Sequence, residues 1–427
     1  MLLPAVLGAQ TWTLQECINY ALDHNLTVKQ SEISTAQKEV ALNTAENSRL
    51  PGVSASASEN LSFGRGLTAD NTYANTNTTS TSFSLGGSIP VFQGFEIKHN
   101  IALSKLDLAA SMSDLEKAKD DIRVAVAQAY VQILYNKEIL EVASGQVGLD
   151  EQQLQRLSEM KANGKASAAE VAAQQASLAQ SKLSETQAQS NLSISLLELT
   201  QLLELPSPEG FDVVTPDESA LQCGLLMNPD EIFAQAEQIK PAIQSEQIRL
   251  EYAQINIKKA KSAYLPSLSL NGGIGTNFYT SSGYEHKSFG DQVKNNFSQY
   301  VALSLNVPIF SRFSTRNSVR TAQLSLDSQK IQLESARKSL YKEIQQAYYN
   351  AVTSQQKARS SGEAATSARL AFDLTKEKYE NGKAGITEYN ESKNRWLEAE
   401  SNLLQARYES LYQEKLLDFY IGEELSF

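Results

Sequence analysis

The chain of 427 residues has little of what catalysis or metal binding draws on: three histidines, His24, His99 and His286, and two cysteines, Cys17 and Cys223. They are scattered without metal-ligand spacing, so neither a metal site nor any other cofactor is expected. Phosphate cradles are missing too. Gly272-Gly273-Ile274-Gly275 follows a strand-like stretch but opens a polar loop rather than a helix, and Gly64-Arg65-Gly66 is likewise a loop signal. An enzyme is not expected. Basic residues are outnumbered 38 to 49, a formal charge of -11, which argues against a nucleic-acid partner that would want a basic stripe. No stretch approaches the 18 or so apolar residues of a membrane-spanning helix.

What is present is a 41% hydrophobic, 8% aromatic chain with long tracts of Ala, Ser, Gln, Asn and Leu. That composition suits extended helices packed through small side chains better than one thick core. Residues 1–10, MLLPAVLGAQ, read as the tail of a secretory signal: a short apolar run ending in Leu7-Gly8-Ala9, without the usual positive start. After export Cys17 and Cys223 are open to two readings, a disulfide or passive packing residues. Gln15 and Glu16 before Cys17 are not the small residues that a lipoprotein signal needs.

The tetrapeptide NGKA occurs at Asn163–Ala166 and again at Asn381–Ala384. Moving one onto the other also brings Ile89-Pro90-Val91-Phe92 onto Val307-Pro308-Ile309-Phe310 and Gln128-Ala129-Tyr130 onto Gln346-Ala347-Tyr348. With an offset three residues smaller, Leu50-Pro51 falls on Leu265-Pro266, so the length change lies in the polar segment between those prolines and the later motifs. One unit is duplicated. The first is expected over 11–212, with a lead-in helix 13–50, strands 52–63 and 80–91, and a helical hairpin 95–205. The second is expected over 213–427, with a lead-in helix 229–264, strands 267–276 and 296–308, and a hairpin 313–422. Each lead-in helix stops at Leu-Pro, since proline disfavours helix at the residue before it.

The strand segments alternate with period two. Val53, Ala55, Ala57, Leu61 and Phe63 oppose Ser54, Ser56, Ser58, Asn60 and Ser62, with Glu59 the charged exception; Val301, Leu303, Leu305 and Val307 oppose Tyr300, Ala302, Ser304 and Asn306. A soluble sandwich would alternate as well. Here the connections Gly64–Thr79 and Thr276–Asn295 are long and polar while the opposite strand ends run straight into helix, an asymmetry that points to a membrane barrel with outer loops.

After Pro90 and Pro308 a seven-residue apolar spacing runs through Ile101, Leu108, Leu115, Ile122 and Ala129, and through Val319, Leu326, Leu333, Leu340 and Ala347. Such spacing marks helices that coil about one another. The return arms carry Val171, Leu178, Leu192 and Leu199, and Tyr389, Trp396, Leu403 and Leu417, interrupted at Glu185 and Ser410. NGKA is the tip between the arms, because Gly164 and Gly382 can take the left-handed conformation that closes a helix.

Four strands cannot close on themselves, and open edges in lipid leave backbone groups unpaired, so copies must join. The duplicated order of helix, hairpin, long helix and NG-type turn, with Leu-Pro before the first strand and Pro-[Ile/Val]-Phe after the second, resembles the TolC family of outer-membrane efflux and secretion channels from about Trp12 to Leu425. The resemblance implies a mainly α fold with a pair of membrane β-hairpins, three copies forming a β-barrel of about 12 strands on a long α-helical barrel. It also implies an outer-membrane location with the helices in the periplasm, and a passive exit duct for efflux or type I secretion. A periplasmic adaptor protein would dock on the tips, Asn163, Gly164, Lys165, Asn381, Gly382 and Lys383, and an inner-membrane transporter would supply the work. By the same resemblance Tyr379, Gly382, Glu388 and Glu391 match the tyrosine, glycine and lumen carboxylates of the family's second turn, and Glu170 a gating carboxylate near the first. The family's latch arginine is replaced by Ala384, with Lys383 beside it. The residues alone equally allow Glu388 and Glu391 to lie on a solvated helix face. A secreted coiled-coil structural or adhesin-like protein is the alternative; it explains the heptads but not the duplicated oily strand faces.

Overall fold

The computed structural model describes residues 10–67, 71–216, 224 and 226–426; residues 1–9 and Cys223 lie outside them. The chain divides into two compact units. One comprises Met1–Ser34, Ser111–Ser245 and Leu333–Phe427, the other Thr35–Ala110 and Glu246–Gln332.

Each lead-in segment is two helices, not the single one that sequence suggests. Thr13 and Glu16 form a reciprocal capping box that starts α1 (Leu14–His24), and α2 (Leu26–Asn47) follows after one extended residue, Asn25. The Asn25 side chain accepts from Thr27 N–H at 2.9 Å and donates to the Leu202 carbonyl at 3.0 Å, so the break is held by its own hydrogen bonds. In the second repeat α5 (Pro229–Ile239) and α6 (Pro241–Ser262) part at Lys240, which is extended because Pro241 follows it.

The four long strands are β2 (Gly52–Ser62), β5 (Thr78–Gln93), β7 (Ser267–Ser281) and β8 (Ser298–Asn306), in the antiparallel order β2-β5-β7-β8. Pairing of β5 with β7 joins the two repeats, and β2 and β8 are the edges. The register sorts the faces, with Glu59 of β2 and Gln299 of β8 as polar residues on the apolar side. Val53, Gly87, Gly272 and Val301 lie in one row, Ala55, Leu85 and Ile274 in another, all on the apolar side. Ser56 bonds Ser84 and Ser58 bonds Ser82, each at 2.7 Å, on the other side. β5 runs past the expected 80–91 at both ends. Pro90 is tolerated because β2 ends its pairing at Ser88, and the missing N–H coincides with a bulge between Pro90 and Phe92. β8 stops at Asn306, short of Pro308.

Several short elements carry no periodic signal. β1 (Gln10–Trp12) pairs in parallel with β6 (Phe211–Val213), and the Tyr130 hydroxyl lies 2.6 Å from the Val214 carbonyl, fastening the ribbon to a helix. In the connections, β3 (Arg65–Leu67) pairs with β4 (Tyr73–Asn75), and α7 (Phe289–Asn295) folds against β7. There the Gln292 side chain accepts from Tyr279 N–H and donates to its carbonyl, both at 3.0 Å, as a neighbouring strand would.

The long helices match in length between repeats. α3 (Glu96–Ala162) and α8 (Ser314–Glu380) have 67 residues each, and the return helices α4 (Ala168–Leu202) and α9 (Ile386–Tyr420) 35 each. In the first unit Leu14, Cys17, Ile18, Val28, Ile133, Leu134 and Leu199 share one buried cluster. Burial pushes the Cys17 thiol up to about 12, so it is a packing group at neutral pH.

Candidate functional site

The two tips are built alike because the same four residues build them. Gly164 and Gly382 both have φ of +72°, the left-handed conformation that closes a helix without a Cβ penalty. Gly164 N–H donates to the Lys161 carbonyl at 2.9 Å and Lys165 N–H to Met160 at 2.8 Å; the second tip repeats this with Gly382 to Tyr379 at 3.0 Å and Lys383 to Lys378 at 2.8 Å. These are the paired bonds of a Schellman cap. Asn163 and Asn381 each donate a side-chain amide to the carbonyl four residues back. Asn163, Gly164, Lys165, Asn381, Gly382 and Lys383 are all exposed.

The helices that leave the tips start differently. Ser167 and Glu170 form a capping box in which Ser167 N–H donates to the Glu170 carboxylate at 2.7 Å and Glu170 N–H to the Ser167 hydroxyl at 3.1 Å. Those bonds hold the Glu170 carboxyl below the ordinary carboxylate range. The carboxylate expected near the gate is thus engaged in starting α4. At the second tip Gly385 offers no side-chain cap, and Glu388 and Glu391 stand exposed, three apart on one face of α9.

Behind the turns lies an aromatic cluster. Phe372 stacks on Trp396 with centroids 5.2 Å apart, and Tyr379 and Tyr389 lie 5.1 Å apart over Leu157, Val171 and Ile386. Burial raises both tyrosine pKa values; Tyr389, with the Asp150 charge adding to its burial, is pushed up to about 12. Tyr379 is half-buried and accepts from Gln153 Nε2 at 2.7 Å, so it links α8 to α3. Arg156 and Glu380 form a second, exposed link at 3.5 Å.

Sequence reasoning missed the polar centre of this region. Lys393 of α9 and Asp150 of α3 form an ion pair whose side chains are 0% and 1% exposed. Gln174 donates to Asp150 Oδ1 at 2.9 Å, Ser181 donates to Oδ2 at 2.5 Å, and Asn390 donates to Gln174 Oε1 at 3.4 Å. A signal existed: the α3 seam continues beyond Ala129 through Asn136, Ala143, Asp150 and Leu157 at the same seven-residue spacing, and all four are buried.

Paired long helical hairpins with glycine-closed tips, in a chain that also carries a four-stranded sheet with one apolar face, define the class of outer-membrane channels with a helical barrel. The chain belongs to the outer membrane efflux protein family, whose match spans residues 17–204 and 232–423. It is similar to the outer membrane protein TolC of Vibrio cholerae serotype O1, 24% identical over 313 residues, covering 72% of this chain and 70% of that protein. Its fold matches the crystal structure of CusC with a TM-score of 0.80 at 17% identity, covering 99% of this chain and 95% of that one. The open state of the Neisseria gonorrhoeae MtrE outer membrane channel gives 0.77 at 18% identity, over 100% and 94%. The protein is an outer-membrane efflux channel, and the family assignment sets aside the adhesin-like alternative.

Proposed function

We propose that three copies of this chain close into one exit duct, which receives its cargo from an inner-membrane transporter through a periplasmic adaptor. The observation that carries this reading is the sheet: four strands with open edges at β2 and β8, whose apolar residues stand in the open, Val301 81% exposed and Leu303 and Leu305 65% each. Such edges are satisfied in lipid only by closure, and copies of the same chain supply matching ones. Leu324 and Ile331 of α8, seven residues apart and exposed, offer helices of other copies a seam. The adaptor docks on the exposed tips around Gly164 and Gly382. Glu388 and Glu391 ring the aperture and favour cations there, while Lys383 takes over part of the role of the missing arginine.

Fractionation tests the ring: the protein is expected in the outer membrane as an oligomer that survives detergent without heating and separates on heating. A folded protomer soluble without detergent overturns the reading. The aperture has its own test. Glu388→Gln with Glu391→Gln is expected to weaken block of single-channel conductance by a multivalent cation at least about tenfold, since several carboxylates act on one ion. Unchanged block removes both residues from the gate.

A further inference from the structure

We propose that the buried Asp150–Lys393 pair is a pairing key: it decides which helices of the duplicated repeats join within a chain and which join between copies. The inference rests on the three-copy reading above. Duplication creates the problem that the key solves. α3 and α8 are equal in length, as are α4 and α9, and their seams correspond at the offset that carries Asn163 onto Asn381. An apolar seam alone would accept the helix of either repeat. Burial shows that corresponding faces are used differently. Lys393, Tyr408 and Leu411 of α9 are buried within the chain, whereas Gln175, Ser190 and Ser193, which match them on α4, are exposed. Val131 and Leu134 of α3 are buried, whereas the matching Tyr349 and Val352 of α8 are 63% and 42% exposed. The bare faces of α8 and α4 are thus the counterparts of the covered faces of α3 and α9, and between copies α8 of one meets α4 of the next.

Only the covered junction carries the charges. Asp150 accepts from Lys393 of α9 and from Gln174 and Ser181 of α4, and the Lys393 ammonium also reaches the Ser177 hydroxyl at 3.4 Å. At the matching positions of the open faces stand Ala368 on α8 and Gln175 on α4, neither of them charged. A first hairpin packed on the first hairpin of another copy would set Asp150 against Gln175. A second hairpin packed on another second hairpin would set Lys393 against Ala368. Either junction strands, out of water, a charge that the correct junction pairs, and a stranded charge is what excludes a wrong partner. First and second hairpins alternating around the ring is the arrangement that strands neither.

Cross-linking between two differently tagged full-length chains, co-expressed and assembled in the outer membrane, tests the key. The Tyr408 hydroxyl donates to Glu138 at 3.4 Å, which marks a level where α9 meets α3; Ser190 and Gln356 are the matching positions on α4 and α8. Each chain receives one added cysteine, a short bis-maleimide joins them, and mass spectrometry of the linked peptides separates their products from any at Cys17 or Cys223. Gln356→Cys in one chain with Ser190→Cys in the other reports the correct junction between copies, and Glu138→Cys with Ser190→Cys reports a wrong one. With the pair intact, only the first combination is expected to link. Asp150→Leu with Lys393→Met removes both charges and is expected to raise the wrong link at least tenfold. Ala368→Asp with Gln175→Lys copies the pair into the open junction and is expected to do the same, because the two junctions then read alike while every buried charge has a partner. A wrong link that stays at its original level in either assembled variant overturns the proposal. Failure of both variants to assemble overturns it too, since the pair would then serve folding and not the choice of partner. Absence of the correct link with the pair intact instead counts against the three-copy reading itself, so the two failures are told apart.

Discussion

Leu303→Arg is expected to cut the amount of heat-separable oligomer in the outer membrane by more than tenfold, whereas Ser304→Arg leaves it nearly unchanged. The two residues are neighbours on β8, an edge strand, and differ only in the face they occupy. Leu303 stands opposite Leu270, which in turn pairs with Ile89, so an arginine there enters an apolar row. In lipid such a charge costs about 2–4 kcal/mol near the bilayer midplane, and a ring of three copies bears that cost three times. Ser304 pairs with Ser269, and its hydroxyl accepts from Asn271 at 3.2 Å on the polar face, where a long cation finds water. Its arginine is expected to change conductance instead. Membrane fractionation with unheated gels, followed by planar-bilayer recording, checks both. Equal yields from the two variants would mean that the apolar face does not meet lipid.

The same period-two contrast made the sheet legible in sequence. Alternation fixes which side of a strand a residue occupies whatever the strand pairs with, so the oily and Ser/Asn faces could be read before the partners were known. The tips were legible for a similar reason: NGKA specifies its own backbone through a left-handed glycine and an asparagine that bonds one turn back. The break at Asn25 was not, because an asparagine inside a helical pattern is unremarkable until the Leu202 carbonyl arrives from the far end of α4. Lys240-Pro241 carried a visible breaker in the matching place and marks both interruptions in retrospect. The parallel β1–β6 ribbon has three residues a side, too few for any period to show.

At the candidate site the boundary of what sequence shows follows chemistry. The heptad could be followed while its positions were apolar and was lost where it reached Asn136 and Asp150, because a charge on a helix ordinarily means solvent. Only the arrival of Lys393 from α9 explains a carboxylate at a core position. Glu170 carries two readings of different origin. Its match to a gating carboxylate rests on resemblance, while the spacing Ser167-x-x-Glu170 is a capping box readable from the chain itself. Glu388 lacks such a partner, since Gly385 stands where Ser167 does in the first repeat. The duplicated tips therefore share a turn but differ in how much acidic charge they leave free.

Gly94→Ala is expected to destabilise the protein by on the order of 3 kcal/mol or more, while Arg312→Gly at the matching position of the other repeat stays within about 1 kcal/mol of neutral. Each residue opens the passage from strand to long helix, and both have positive φ, +57° at Gly94 and +51° at Arg312. The residues that follow, Phe95 and Phe313, repeat it at +67° and +61°, and each stacks edge-on against the phenylalanine three before it, Phe92 or Phe310. The backbone geometry is thus common to both repeats, and Arg312 shows that it alone does not demand glycine. Space does: a Cβ on Gly94 would fall 2.5 Å from the Ser262 carbonyl oxygen and 2.9 Å from Leu265 Cβ, the first a backbone atom at the end of α6 that has no rotamer to give way. For Arg312→Gly, relief of left-handed strain and the greater freedom of an unfolded glycine nearly offset each other. The temperature at which the detergent-purified oligomer separates measures both. A large fall for Gly94→Ala with little change for Arg312→Gly assigns the effect to the α6 contact, and equal falls would assign it to the turn conformation instead.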